Sequence, residues 1–361
     1  MRFSRLFFFI ACTFSALSLG AQDVHYTLHN YAPLWLNPAN TGAFSGSIRV
    51  GGVYRGQWHS LNGINSPTAY ADAPLAFGLR KQDWIGVGVS LVAYNAGRFD
   101  LSSTFFGFSG AYHLSLDKKR ENVLTLGVQY GSTSYGLTMP MGDVAQQEVF
   151  EGRPAEMIGM PDLGGPGNNN NNNNNYNSLN AGIKLKVLMD KKKNDIFEAG
   201  VSVLHLNNPD RRSLVEVEQD TSMMNPPNPT TNSRENRRRR PTIHAHARAD
   251  LEMSEKWRFQ PTAFFQSSAG TSSVSLQAWG SRNLKKDLDL RLGLGYRTAD
   301  AAKVLVGLDT DRLRAALAYD ITLSQARNVN SYQGAFELGL AYVFNIYKKP
   351  EVTPTILCPR L

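Results

Sequence analysis

The chain has 361 residues, 42% of them hydrophobic, and a formal net charge of +8 from 38 Lys and Arg against 30 Asp and Glu. The basic excess falls in short clusters rather than one stripe, so it does not by itself imply nucleic acid, and no nucleic-acid partner is expected. Of the two cysteines, Cys12 lies in a leader and only Cys358 remains after its removal, which excludes a disulfide-stapled fold.

The first 21 residues read as a secretory signal. Arg2 and Arg5 form its positive region, Leu6 to Leu19 its apolar run, and the small residues around Ala21 its cleavage site. A lipoprotein site at Phe9-Ile10-Ala11-Cys12 fits less well, because Cys12 comes early and the apolar run continues past it. Beyond the leader no run of about 18 apolar residues occurs, so no transmembrane helix is expected. An exported chain of this kind is either soluble or a β-barrel, the other structure that satisfies every backbone group in lipid.

Residues 22–46 form a segment of their own. Tyr26, Tyr31, Trp35 and Phe44 suit either a plug in a barrel lumen or a cap over its periplasmic mouth. Within it Asn37-Pro38-Ala39-Asn40-Thr41-Gly42 reads as a turn, since Pro fixes φ and Gly accepts positive φ. A strand follows over 47–58. Ile48, Val50, Gly52, Tyr54, Gly56 and Trp58 share one face, and Arg49, Gly51, Val53, Arg55 and Gln57 the other.

Period-two alternation then dominates. It predicts further strands over 68–79, 84–94, 103–116, 122–134, 177–188, 196–206, 241–252, 256–267, 272–282, 287–297, 301–309, 312–321 and 333–346. In the run from Leu288 to Arg297, Leu residues and Tyr296 alternate with Asp, Arg and Gly. Long apolar faces, repeated Gly opposite them and aromatic strand ends are marks of an apolar-out barrel. The links supply a second test. Every other one is short and charged, such as Asp117-Lys118-Lys119-Arg120-Glu121, whereas the long ones (59–67, 135–176, 207–240 and 322–332) all fall in the alternate set. This segregation predicts an all-β fold: an antiparallel up-and-down transmembrane barrel of about 14 strands over 47–346, with short periplasmic turns and long extracellular loops.

Two of the long loops are biased in composition. Asn168 to Asn175 is an unbroken Asn run, expected to be disordered, and the 207–240 loop ends in the basic run Arg237 to Arg240. The last strand carries Glu337, Gly339, Tyr342 and Phe344 at the spacing of a β-signal, the mark that outer-membrane insertion machinery reads on final barrel strands. Residues 347–361 form a Pro-containing periplasmic tail.

Chemistry is sparse. There is no phosphate-binding Gly loop, no CxxC and no His-Glu-x-x-His. His244 and His246 share a strand face, but no third ligand is visible, so they read as lumen-lining rather than as a metal pair. No sequence feature sets a nucleophile beside a His, so neither enzyme activity nor a cofactor is expected. The predicted lumen face is rich in cations: Arg49, Arg55, Lys184, Lys186, Arg248, Arg291, Arg297, Arg312 and Arg314. An open lumen of this kind would favour anions, whereas a plugged one would pair these charges internally.

Asn37-Pro38-Ala39 with Gly42, Tyr54-Arg55, Gln57-Trp58, Pro67-Thr68 and Ala73-Pro74 together resemble the N-terminal signature of the PorP/SprF outer-membrane proteins of Bacteroidota. The resemblance runs through the mature chain to the barrel's C-terminus, with the Asn-rich and Arg-rich loops as departures. It implies a role in type IX secretion, in surface attachment of adhesins or other cargo with C-terminal sorting domains and, in some members of the family, in gliding motility. It also implies type IX components and a periplasmic peptidoglycan-binding lipoprotein as partners. The bottom-up alternative is a general porin with a basic lumen.

Overall fold

A computed structural model describes residues 24–57, 63–75, 78–96, 101–136, 174–210, 238–268, 271–285, 287–324 and 333–346. Fourteen strands follow one another: β1 Ile48–Gln57, β2 Ile64–Leu75, β3 Trp84–Ala96, β4 Leu101–Ser115, β5 Val123–Gly136, β6 Asn174–Asp190, β7 Asp195–Leu204, β8 Thr242–Ser254, β9 Trp257–Ser268, β10 Thr271–Lys285, β11 Leu288–Arg297, β12 Ala301–Thr310, β13 Leu313–Thr322 and β14 Ala335–Phe344. Each pairs with its sequence neighbours, and β1 closes on β14 to form a barrel. That seam runs antiparallel from Ile48 opposite Phe344 to Gln57 opposite Ala335. Closure leaves no edge strand, which is what a sheet in lipid requires.

The alternation is inverted relative to a soluble protein. On β5, Leu126, Val128 and Tyr130 point outward and are 57%, 58% and 55% exposed, whereas inward Thr125 and Gln129 are 1% and 2% exposed. The same apolar-out pattern holds for Leu292, Leu294 and Tyr296 on β11. Among the described residues no helix is long and apolar enough to cross a membrane; the strands cross instead. At one end of the barrel two to four residues separate β6 from β7, β8 from β9, β10 from β11 and β12 from β13, and at the other end 37 residues separate β5 from β6 and 37 separate β7 from β8. The tight end is therefore periplasmic.

Three expectations need correction. The second strand is Ile64–Leu75, not 68–79. Pro67 is accommodated in the strand opposite Tyr54, and the ladder to β3 skips Ser66 and Pro67. Residues 78–83 instead fold into a turn, where Arg80 bonds Asp83 and Leu79 is 91% exposed. The Asn run is not wholly irregular, since β6 starts at Asn174 and Asn175 pairs with Ser134. Arg312 does not line the lumen: it sits in the tight turn before β13 and is exposed, because the strand begins one residue after it. Trp58, the leader, Asn168 to Asn173, Arg237 and the tail beyond residue 346 lie outside the described residues.

Candidate functional site: a segment inside the lumen

Residues 24–46 run through the inside of the barrel. Three short helical turns, His29–Tyr31, Pro33–Leu36 and Pro38–Asn40, give the segment its shape. Pro33 and Pro38 each open a turn, the position where a missing N–H costs nothing. Tyr26, Leu28, Tyr31, Trp35 and Leu36 form one apolar cluster with Val53, Phe264, Trp279 and Leu305 of the wall. The molecule's main hydrophobic core is thus the contact between this segment and the inside of the barrel.

The Asn37–Gly42 turn is bonded to the wall along its length. Asn37 is extended, as a residue before proline must be, and its Oδ1 accepts from the Ala39 N–H at 2.8 Å. Its Nδ2 donates to the carbonyls of Ile183 (3.1 Å) and Val201 (3.3 Å), a cross-strand pair of β6 and β7. The backbone lies against wall glycines. A Cβ on Gly127 would sit 2.3 Å from the Ala39 nitrogen, one on Gly182 2.0 Å from Asn37 Oδ1, and one on Gly86 2.0 Å from the Thr41 oxygen. Gly42 has φ +68°, where an L side chain is strained. Its N–H donates to Asp72 Oδ2 at 2.7 Å and its carbonyl accepts from Trp84 Nε1 at 3.1 Å. His113 fixes the preceding residue. Its Nε2 donates to the Thr41 carbonyl at 2.8 Å, which leaves Nδ1 to accept from Thr125 Oγ1.

The other end of the segment is clasped by charge at the β1–β14 seam. Glu337 is fully buried. It accepts from the Thr27 N–H at 2.7 Å, the Leu28 N–H at 2.6 Å and the Arg55 guanidinium. Arg55 also reaches Asp320 at 3.0 Å, Asp320 accepts from Thr27 Oγ1 at 2.7 Å, and Arg297 completes the cluster at 3.1 Å from Asp320. Gln277 Nε2 donates to the Thr27 carbonyl at 2.7 Å. Every polar group of Thr27 is therefore held by the wall. Gly339 admits Tyr31, since a Cβ there would lie 2.8 Å from the Tyr31 ring. Tyr26 shares a hydrogen bond with Thr68 at 2.5 Å and donates to the Ser66 carbonyl.

The remaining cations fall into separate groups. Arg49 pairs with Asp72 through two bonds of 2.9 and 2.8 Å, and its Nη2 also donates to the Asn40 carbonyl. Arg248 pairs with Glu198 at 2.7 Å, and Lys184 and Lys186 lie on the same inward face. Arg291 and Arg314 share Asp309 at 3.1 and 3.2 Å. His244 Nδ1 donates to the Leu36 carbonyl at 3.2 Å, so it holds the segment. Among the described residues no group of three His, Cys, Asp or Glu is arranged for a metal. Within the segment, burial holds the His29 imidazole down at about 3, with Lys303, His246 and Arg248 adding to the effect, and burial pushes the Tyr31 hydroxyl up.

Outward-facing signature residues include Tyr54, 41% exposed, whose hydroxyl donates to Asn65 at 2.9 Å. Gln57 accepts from Arg55 at 3.4 Å, and Ala73 and Pro74 lie beside Gly42. Tyr342 and Phe344 stack edge to face at 4.6 Å on the outer wall. Sequence reasoning missed Thr27, Asp72 and Asp320 as anchors of the segment. Only the inward glycines were a usable signal, because Gly inside a strand often marks a close backbone approach. It also missed one serine–histidine contact, Ser178 Oγ to His205 Nδ1 at 2.8 Å, but Ser178 is fully buried.

The family model of the type IX secretion system membrane protein PorP/SprF matches residues 18–342. No curated protein sequence matches the chain. Among solved structures the chain is similar to a deletion mutant of the TodX monoaromatic hydrocarbon channel, with 11% identity over 88% of this chain and 94% of that one and a TM-score of 0.49. It is similar also to the Ralstonia pickettii toluene transporter TbuX (9% identity, 87% and 94% covered, TM-score 0.44) and to the KdgM porin (6%, 82% and 99%, 0.38). The signature turn, the closed barrel with its apolar outer wall and the near full-length family match lead to one assignment: the chain belongs to the PorP/SprF family of type IX secretion membrane proteins and is an outer-membrane β-barrel.

Proposed function

We propose that this barrel is a plugged, non-catalytic scaffold of the type IX secretion system. In this reading it supports export and surface attachment of adhesins or other cargo with C-terminal sorting domains, and gliding motility. Its partners are outer-membrane lipid, type IX components, that cargo and a periplasmic peptidoglycan-binding lipoprotein. The observation that supports the reading is the segment 24–46, which fills the lumen and is tied to the wall at the Glu337–Asp320 clasp and at the Asn37–Gly42 turn. A lumen occupied by bonded peptide favours a scaffold over a solute path.

Export of a reporter fused to a C-terminal sorting domain tests it. Deleting this gene is expected to trap the reporter in the periplasm, and undiminished export counts against the proposal. A general porin with a basic lumen is the second reading, favoured by Lys184 and Lys303, which carry no ion pair among the described residues. Planar-bilayer recording separates the two, since steady conductance by the intact protein supports the porin.

A further inference from the structure

The periplasmic rim is electrically one-sided. Six links separate the strand ends there: residues 76–83, 116–122, 191–194, 255–256, 286–287 and 311–312. The first three are neighbours, because the strands that carry them are consecutive around the barrel. They hold eight Lys and Arg against three carboxylates. The other three hold one residue of each sign apiece: Glu255 and Lys256, Lys286 and Asp287, Asp311 and Arg312.

The carboxylates on the basic half are already engaged. Asp83 takes both bonds from Arg80, whose hydrogen bonding holds the Asp83 carboxyl far below the usual range. Asp117 accepts from the N–H groups of Lys119, Glu121 and Asn122. Glu121 pairs with Lys191 at 2.9 Å. The flanking Asp190 and Asp195 accept from the Lys192 and Glu252 N–H groups. Left over are Lys81, Lys118, Lys119, Lys192 and Lys193, all exposed and without an ion pair among the described residues.

These turns are also fixed to one another. Arg120 donates to the Gln82 carbonyl at 2.7 Å and the Lys81 carbonyl at 3.2 Å, which joins the first turn to the second. The Lys191–Glu121 pair joins the second to the third, and Arg258 donates to the Asn194 carbonyl at 3.1 Å on the far side. The result is a crescent of unpaired ammonium groups on a stitched backbone.

We propose that this crescent docks the acidic face of a periplasmic protein. The proposal rests on the scaffold reading above. Lipid headgroups surround a barrel on every side, so phosphate anchoring calls for an even ring of cations. A charge field on one half of the rim instead selects and orients a partner approaching from the periplasm.

The test places a photo-cross-linking residue at Gln82 or Asn194 on the crescent, and at Glu255 or Asp311 opposite, in whole cells. A protein adduct at least tenfold stronger on the crescent is expected. The charge-reversed variant Lys118→Glu/Lys119→Glu/Lys192→Glu/Lys193→Glu should lose at least tenfold of it while keeping normal heat-modifiable migration of the barrel. The cross-linked protein, once identified and purified, should bind the barrel in phosphatidylcholine nanodiscs with a Kd at least tenfold weaker for that variant. Equal adducts around the rim, lipid adducts alone, or an adduct that survives charge reversal would each overturn the proposal. Export of the sorting-domain reporter in the same strains reports on the scaffold reading separately, so either can fail by itself.

Discussion

At the scale of single residues, Glu337 has the largest consequence. It satisfies two backbone N–H groups of the inner segment and the buried Arg55 at once. Glu337→Ala leaves two backbone donors unpaired away from water and takes from Arg55 one of its two carboxylates, with Asp320 remaining, a change of up to about 3–5 kcal/mol for a broken buried pair. The expected outcome is an inner segment open to protease while the barrel still migrates as folded; protection equal to wild type would refute the clasp. His29 gives a pH signature. The docked segment holds it neutral with a value near 3, against 6.5 when free. Docking therefore keeps its full strength above pH 6.5 and weakens as pH falls toward 3, by up to about 1.4 kcal/mol per unit. Proteolysis of the segment should rise between pH 7 and pH 5, and His29→Phe should flatten that rise.

At the scale of elements, strand and segment were shaped for each other. Gly86, Gly127 and Gly182 lower the β-propensity of their strands, yet they form a shelf for the Asn37–Gly42 backbone. Gly127→Val suits a strand, so the barrel should assemble and the segment should lose its seat. A cysteine at Ala39, buried in the native protein, should then react with a soluble maleimide at least tenfold faster. Unchanged labelling would mean that the shelf does not hold the turn. The last strand serves two surfaces. Its outward Tyr342 and Phe344 meet lipid, and its inward Glu337 and Gly339 meet the segment. Tyr342→Asp with Phe344→Asp places charge on the lipid face of the closing strand, which destabilises a membrane barrel in a depth-dependent way. Loss of the protein from the outer membrane is expected on fractionation, whereas normal levels would refute the β-signal reading.

At the scale of the whole molecule, the barrel closes around a peptide segment packed on its inner wall. Removing residues 24–46 uncovers Arg55, Asp320, Arg297, Glu198 and Arg248 on the inner wall. The truncated barrel should conduct ions in a planar bilayer where the intact one is silent. Equal conductance of the two would show that the segment does not seal the lumen.

The sequence by itself determined the antiparallel barrel and the two faces of each strand, because a two-residue period and the segregation of short and long links are local signals, whereas it gave the strand number only as about 14 and the tertiary structure fixed it. It also determined that Arg55 and Glu337 point inward, since parity along a strand fixes the side. It misplaced the bounds of β2, which is Ile64–Leu75, and put Arg312 on the lumen face although the strand begins one residue after it. The choice between plug and cap for residues 24–46 was left to the tertiary structure. That choice depends on Thr27 meeting Glu337 and Asp320, and on Asn37 meeting Ile183 and Val201. These partners lie 146 to 310 residues apart in the chain, and no local pattern encodes such a distance.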